Sequence, residues 1–390
     1  MRDAVIVDAV RTPVGKGKPG GALSGIHPAD LSAHVLKALA ERNGLDPATV
    51  DDVVWGCVSQ VGEQTGSIGR YSVLAAGWPE SVPGLTIDRQ CGSSQQAVHQ
   101  VAAGVIAGQY DVAIAGGVES MSRVPMGSTR ANGAFGEPYG PLVKERYGVN
   151  GFNQGLGAEM IAEEFGLTRE QLDQHALDSH ARAAAAIDEG RFKDQIAPVE
   201  VREADGGTRL FDTDEGVRRG GTLEAMAGLR TVFKEDGVIH AGNSSQISDG
   251  AAALLVTTSE IAARNGWTPI ARFHTGTVVG VDPITMLKGP IPGTRKVLER
   301  AGLTLDDIGA FEINEAFASV TMAWLNDTGA DGARLNPNGG AIALGHPLGG
   351  SGARLMTTLV HHMRDQGIRY GLQSMCEGGG MANATVLELL

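Results

Sequence analysis

Three cysteines, Cys57, Cys91 and Cys376, are spread over 390 residues without a C-x-x-C pair, and two of them stand where a thiol could do chemistry. Cys91 lies in "TIDRQCGSSQQAVHQVAAG", after a polar run and just before Gly-Ser-Ser and a helical segment. A thiol at a helix N-terminus meets the positive end of the macrodipole and unpaired backbone N–H groups. Both favour the thiolate and can bring a cysteine from a pKa of ~8.5 into the range of roughly 3.5–7.5. Taken alone, such a cysteine is more commonly a packing residue at a helix start. His346 follows in "NPNGGAIALGHPLGGSG", a glycine- and proline-punctuated loop before a helix, where an imidazole could serve as base for a thiol or donor to an oxyanion. By itself a loop histidine is as often a plain surface residue.

Cys376, in "MCEGGGMANA", ends a strand beside three glycines. It reads either as a second thiol acting as acid and base or as a buried strand cysteine, the reading that also fits Cys57 in "VVWGCVSQ". Asn314 closes a strand in "EINEAFA", where an amide caps the next helix or orients a water, capping being the simpler role. Other motifs fall away. "GKGKPG" matches G-x-G-x-x-G but contains Pro19 and runs into Gly21 rather than a helix, so it is no dinucleotide fingerprint. No P-loop and no G-x-S-x-G elbow occurs. His175 and His180 lack metal-ligand companions at the right spacing, and His361–His362 is expected to be solvated at a helix end.

The elements that must position these residues alternate in an α/β rhythm. "AVIVDAV" (4–10), "DDVVWGCV" (51–58) and "DVAIAGG" (111–117) read as buried strands, with helices at 27–44 and after Cys91. The later half repeats the pattern: strand to helix over 307–317, a helix over 351–367, and strands 370–376 and 384–390 around a glycine-rich turn. Both "CGSSQQAVHQVAAGVIAGQYDVAIAGG" and "GGSGARLMTTLVHHMRDQGIRYGLQSMCEGGG" run from glycine and serine through helix and strand to glycines. This suggests a duplicated unit with two helix N-termini facing one site. Residues 120–249 differ, with scattered Gly and Pro and the helical "TREQLDQHALDSHARAAAAIDEG", and read as a large insertion or lid.

Composition bounds the function. A formal net charge of −13 argues against nucleic acid or an anionic membrane as the main partner, though a local basic rim could still hold a phosphorylated small molecule. The 56 glycines are about twice average usage without a collagen period, so tight turns and close backbone approaches abound. Three cysteines without a C-x-x-C pair argue against a disulfide framework and a structural zinc site, and the odd count suits a reducing compartment. The N-terminus has no signal-peptide or transit pattern, and no uncharged run approaches the ~20 residues of a membrane span. A soluble, intracellular, cytoplasmic protein is expected.

Together "DRQCGSSQQAVH", "NEAFA", "GGAIALGHPLGGSGAR" and "CEGGG" resemble the thiolase family of 3-ketoacyl-CoA thiolases and acetyl-CoA acetyltransferases. The likeness spans the chain, from "VIVDAVRTPVGK" through "LEAMAGLR" and "AGNSSQISDGAA" to the last strand. It implies a five-layered α/β/α/β/α duplicated fold: an N-terminal half over 1–119 and 250–270, an inserted loop domain over 120–249, and a C-terminal half over 271–390. It also implies a tight dimer, often a tetramer. By motif, Cys91 resembles the acyl-accepting nucleophile, His346 its activator and an oxyanion donor, Asn314 the holder of a water in that oxyanion hole, and Cys376 the acid/base. The N–H groups of Cys91 and Gly378 would form a second oxyanion hole. Arg218, Ser245 and Phe317 fall on CoA- or substrate-contacting positions, and Asn153 and Gln154 stand where short-chain members carry a His-Met pair, which implies a longer or bulkier acyl group. The implied activity is cleavage of 3-ketoacyl-CoA by CoA in acyl degradation, through a covalent acyl-cysteine and with no metal or redox cofactor.

Glu377 replaces the small apolar residue common in C-x-G-G-G and reads either as tuning Cys376 or as facing solvent. The histidine-aspartate-cysteine pattern of the sterol-carrier branch is missing. Three alternatives have their own signatures. An acetyl-CoA acetyltransferase would share the site and run it in reverse. A decarboxylating ketosynthase pairs one Cys with two His or His/Asn, against which Cys376 argues. A non-catalytic CoA- or lipid-binding homologue would be expected to lack one of the four polar residues, and all four are present.

Overall fold

The computed structural model describes residues 2–203 and 206–390. The first half of the chain gives β1 (Val5–Arg11), β2 (Gly15–Lys16), α1 (Pro28–Asn43), β3 (Asp52–Gly56), α2 (Ile68–Ala75), β4 (Gly84–Ile87), α3 (Ser93–Ala107) and β5 (Val112–Ser120). A long excursion follows, with α4 (Pro141–Tyr147), α5 (Gln154–Glu164), α6 (Arg169–Asp188), the hairpin β6 (Val199–Arg202) and β7 (Thr208–Phe211), and α7 (Leu223–Ala227). The chain then returns in β8 (Ser248–Thr257) and α8 (Ser259–Arg264). The remainder forms β9 (Ala271–Gly280), α9 (Pro290–Ala301), β10 (Ala310–Ile313), α10 (Ala318–Thr328), α11 (Ala341–Leu344), α12 (Ser351–Gln366), β11 (Tyr370–Glu377) and β12 (Met381–Leu389).

Strand pairing reveals the duplication. In the first half β4, β3 and β5 pair in parallel, and β5–β8 and β8–β1 pair antiparallel. In the second, β10 and β11 are parallel, and β11–β12 and β12–β9 antiparallel. A single parallel bridge from Phe311 to Leu335 stands in the second half where β4 stands in the first. The halves join where Val5 and Ile6 of β1 meet Arg272 and Ala271 of β9. Because β5 and β8 are neighbours, the excursion between them leaves and re-enters the same edge of the scaffold.

Alternation along the strands sorts side chains into layers. Val5 and Val7 of β1 face an outer layer with Leu31, Val35 and Leu39 of α1, while Ile6 faces inward with Val98, Val101 and Val105 of α3 and Met356, Leu359 and Met363 of α12. On the far side Phe311, Leu372 and Val386 pack against Val297 of α9 and Trp324 of α10. The result is five layers, α/β/α/β/α, with α3 and α12 as the shared middle. A separate apolar cluster ties α5 and α6 of the excursion to α10, through Ile161, Leu172, Ala176, Phe317 and Val320.

Two local expectations are corrected. His361 is not solvated: it lies within α12, is 1% exposed, and its Nε2 sits 3.0 Å from the Ala9 carbonyl. The helix runs on to Gln366, and His361 faces β1 rather than water. Asn314 does not cap α10; the capping position is held by Phe317 without a side-chain bond.

The middle layer is close-packed at small residues. A Cβ placed on Gly352 would lie 2.3 Å from the Gln95 backbone nitrogen, an approach backbone atoms cannot yield to. Gly352→Ala is therefore expected to cost about 1–3 kcal/mol by overpacking, seen as a lowered thermal midpoint. An unchanged midpoint would mean that the two inner helices separate freely.

Candidate active site

The loop leading into α3 is shaped by backbone strain and short polar straps. Gln90, just before Cys91, has a left-handed backbone (φ 48°) that non-glycine residues seldom adopt. Its N–H donates to Asp88 Oδ1 (2.6 Å), while Ser93 Oγ donates to the Gln90 carbonyl (2.6 Å) and accepts from Arg89 N–H (2.9 Å). Gly92 is the capping residue of α3, so Cys91 sits one residue before the cap, half-buried. The thiolate expected from the helix end is not the resting form. Burial pushes Cys91 up to about 12, with the Glu377 carboxylate adding to the effect. Desolvation outweighs the dipole here, so the resting group is a neutral thiol.

His346 comes from the other half, in the loop before α12. Its N–H donates to the Gln246 carbonyl (3.0 Å) and lies 3.2 Å from Ser248 Oγ, fixing the loop to the start of β8. The ring is oriented by Ser351, whose Oγ lies 2.5 Å from His346 Nδ1 and 2.9 Å from the Pro347 carbonyl. A carbonyl can only accept, so the Ser351 hydroxyl donates to Pro347 and accepts from Nδ1–H. Nε2 is thereby left as the bare, basic nitrogen. Burial, with Arg354 nearby, pushes His346 down to about 3, so the imidazole is neutral at rest.

Asn314 Nδ2 lies 3.4 Å from that Nε2, and its Oδ1 is buried without a hydrogen-bonding partner among the described residues. The Asn314 N–H bonds the Ser374 carbonyl (3.0 Å), which places it at the end of β10 beside β11, two residues from Cys376. Cys376 is fully buried, and burial and then Cys91 hold its thiol well above the ordinary range. The turn after it touches the Cys91 loop: a Cβ on Gly378 would fall 2.8 Å from Gln90 Oε1. The two cysteine-bearing segments are thus in direct contact.

What brings the halves together is the crossing of α3 and α12. Ser94 Oγ accepts from the Ala353 N–H at 2.8 Å, at the first turns of both helices. Behind it, the buried Glu119 carboxylate accepts from the N–H groups of Val58 (3.0 Å), Ser59 (3.0 Å) and Gly349 (2.8 Å) and from Gln64 Nε2 (2.8 Å). This one side chain ties β5, the loop after β3 and the His346 loop together.

The excursion supplies the other residues. Asn153 is exposed and its side-chain oxygen caps α5, accepting from Gly155 and Leu156 N–H groups, while Gln154 is the first residue of that helix. Phe317 is buried, stacks edge-on with Phe233 at 5.9 Å, and shares an apolar cluster with Cys376. The Ser245 N–H bonds the Ala316 carbonyl (2.9 Å), next to Asn314. Arg218 is exposed, and its backbone N–H donates to His180 Nδ1 (3.1 Å). Ser351 and Glu119 escaped sequence reasoning. The hint for Ser351 was its place five residues after His346 at a helix start; for Glu119 it was a lone carboxylate ending an apolar strand.

Comparison with known proteins identifies the family. The models of the thiolase N-terminal and C-terminal domains match residues 4–260 and 267–389. A steroid 3-ketoacyl-CoA thiolase of Mycobacterium tuberculosis is 49% identical over 395 residues, covering 100% of this chain and 95% of the relative. A 3-ketoacyl-CoA thiolase of Pseudoalteromonas translucida is 44% identical over 393 residues, covering 100% of this chain and 99% of the relative. Among solved structures, the acetyl-CoA acetyltransferase of Bacillus anthracis superposes with a TM-score of 0.91 at 38% identity, covering 100% of this chain and 99% of that one. The chain belongs to the thiolase family and is an acyltransferase enzyme.

Ser351 offers a direct check on the imidazole. Ser351→Ala frees Nδ1 and is expected to lower kcat about tenfold or more with KM little changed, the pattern of an interaction used in the transition state. Steady-state kinetics with any accepted thioester would read it, and an unchanged kcat would show that the Ser351 contact does not orient the ring.

Proposed function

We propose that this enzyme is a 3-ketoacyl-CoA thiolase, cleaving 3-ketoacyl-CoA with CoA to acetyl-CoA and a shortened acyl-CoA. The observations that support the mechanism are the contact of the Cys91 and Cys376 segments and an imidazole held near Asn314 whose Nε2 carries no proton. The Cys91 proton passes to His346 Nε2 as Sγ attacks the 3-keto carbon. The resulting oxyanion is met by the new Nε2–H and by a water held at Asn314. As it collapses, the C2–C3 bond breaks and its electron pair leaves as the acetyl-CoA enolate, which takes the Cys376 proton at carbon. The Cys91 and Gly378 N–H groups stabilise the thioester oxygen of that enolate. The Cys376 thiolate then takes the proton of incoming CoA, whose sulfur attacks the acyl carbon. Cys91 departs and recovers its proton from His346, which restores the starting state.

Both thiols rest neutral, Cys376 buried and Cys91 half-buried, so charge appears only when substrate is bound and the preorganised donors are in place. Residues 120–249 are the acyl- and CoA-binding insertion in this reading, with Arg218 and Ser245 toward CoA and Asn153, Gln154, Phe233 and Phe317 toward the acyl chain. The likeness to relatives that act on 3-ketoacyl-CoA and steroid 3-ketoacyl-CoA supports a long or bulky acyl group. Likeness to an acetyl-CoA acetyltransferase supports a second reading, condensation of two acetyl-CoA, which the same groups perform in reverse. No helix among the described residues is long and apolar enough to cross a membrane, and we place the enzyme in the cytoplasm as a homo-oligomer, with no metal or redox cofactor in the chemistry.

Two measurements test this. CoA-dependent cleavage across 3-ketoacyl-CoAs from four carbons to long and ring-bearing chains is expected to give the highest kcat/KM for the longer or bulkier ones. A maximum at acetoacetyl-CoA would favour the acetyltransferase. Cys91→Ala is expected to lose at least about a thousandfold in kcat, and full turnover in that variant would overturn the mechanism.

A further inference from the structure

Glu377 follows Cys376 on β11, so the two side chains point to opposite faces of the strand. The carboxyl is not in solvent: its residue is 0% exposed, and neither oxygen has a hydrogen-bonding partner among the described residues. It lies against the residue after the nucleophile. A Cβ on Gly92 would fall 1.9 Å from Glu377 Oε1 and 2.5 Å from Asn383 Oδ1, so both side-chain ends press on this glycine. The Asn383 side-chain amide is turned to Gln96 Oε1, with Nδ2 at 3.2 Å, which leaves the Asn383 backbone N–H as the donor on the carboxyl's side. Asn383 Oδ1 itself is buried without a hydrogen-bonding partner among the described residues. Two acceptor oxygens thus crowd one spot behind the Cys91 loop, an arrangement that a carboxylate opposes and a carboxylic acid tolerates.

We propose that Glu377 is a positioning residue for charge: as a neutral acid behind Gly92 it keeps the two-thiol pocket uncharged, and its ionisation at alkaline pH suppresses formation of the Cys91 thiolate. The groups facing it are few. The loop before α3 brings Asp88, Arg89 and Cys91; its own strand brings Cys376; β12 contributes Met381 and Asn383 and α3 contributes Gly92 and Gln96, none of which titrates. Among the described residues Arg89 is the cation that acts on it, and it is turned partly away, with an Nη1 contact to Met381 Sδ at 3.8 Å and an Nε without a partner among those residues. Burial pushes Glu377 up to about 8 against the pull of Arg89, so its charge changes in a range where the enzyme can be assayed. The sign follows: below that range the acid is neutral and does not act on Cys91, and above it a negative charge raises the cysteine further.

The inference deepens the reading of Cys91 as the attacking thiol, and it is tested without turnover. Alkylation of Cys91 by iodoacetamide, followed by mass spectrometry from pH 6 to 10, would be compared in the native chain and in Glu377→Gln. The expected ratio of variant to native rate is near one at pH 6 and rises to roughly three- to tenfold at pH 9.5. A ratio that is flat across the range, whatever its value, would overturn the proposal, since a structural effect of the substitution has no reason to follow a titration. Should Glu377→Gln not fold, Glu377→Leu is likewise uncharged. The native chain alone also gives an answer: the logarithm of its alkylation rate should rise with less than unit slope around pH 8, and a constant unit slope would contradict the coupling. An enzyme that alkylates as expected but cleaves no 3-ketoacyl-CoA would separate failure of the functional reading from failure of this one.

Discussion

Everything at the site depends on how close α3 and α12 come in the middle layer. Each helix follows one of the reactive loops, so their separation sets that between the Cys91 loop and the His346 loop. Small residues carry the approach: Gly352 faces the backbone of Gln95, and the Ser94 hydroxyl takes the Ala353 N–H at 2.8 Å. The crossing is buried on both sides by sheets, so it cannot relax outward as a surface pair could. Glu119 extends the same constraint into the loops with four accepted hydrogen bonds. Despite those bonds burial raises its pKa, the mark of a carboxylate buried for geometry rather than for charge.

A dry middle layer has an electrostatic consequence. Cys91 is driven up, His346 down and Glu377 up, each mainly by desolvation. Every one of these shifts favours the neutral form. The site therefore rests as uncharged thiols, an uncharged imidazole and an uncharged acid rather than as a thiolate–imidazolium pair. In the proposed reaction such a pocket would keep its donors for a bound thioester, where charge arises transiently. Ser351 matters in this scheme because a neutral imidazole must present the correct nitrogen, and its hydroxyl settles which one that is.

Much of this architecture was legible in the sequence for simple reasons. β-Branched runs such as "AVIVDAV" and "DVAIAGG" bury both faces in a five-layered fold, and they read as strands at once. The glycine–serine starts of α3 and α12 announced two helix ends meeting, because only small residues there permit the crossing. What could not be read was the dielectric. Cys91 before a helix suggested a thiolate because the dipole is visible in sequence and burial is not. His361 looked solvated because it was placed at a helix end, yet the helix runs on and a five-layered fold buries even the middle of α12. Glu377 was ambiguous for the same reason, since strand alternation says which way a side chain points and not what awaits it. Glu119 acts through a contact made across the duplication, with the Gly349 N–H, which no local pattern encodes, and Ser351 acts on a ring five residues away whose orientation the sequence does not show.

The central claim is that Cys91 carries the acyl group between the two half-reactions. Brief mixing of the enzyme with a 3-ketoacyl-CoA in the absence of free CoA, acid quenching and peptide mass spectrometry would test it directly. The account predicts one acyl adduct, of the shortened chain's mass, on the peptide holding Cys91, formed together with one equivalent of acetyl-CoA and removed by added CoA. An adduct on Cys376 or Cys57 instead, or acetyl-CoA release with no adduct on the protein, would contradict it.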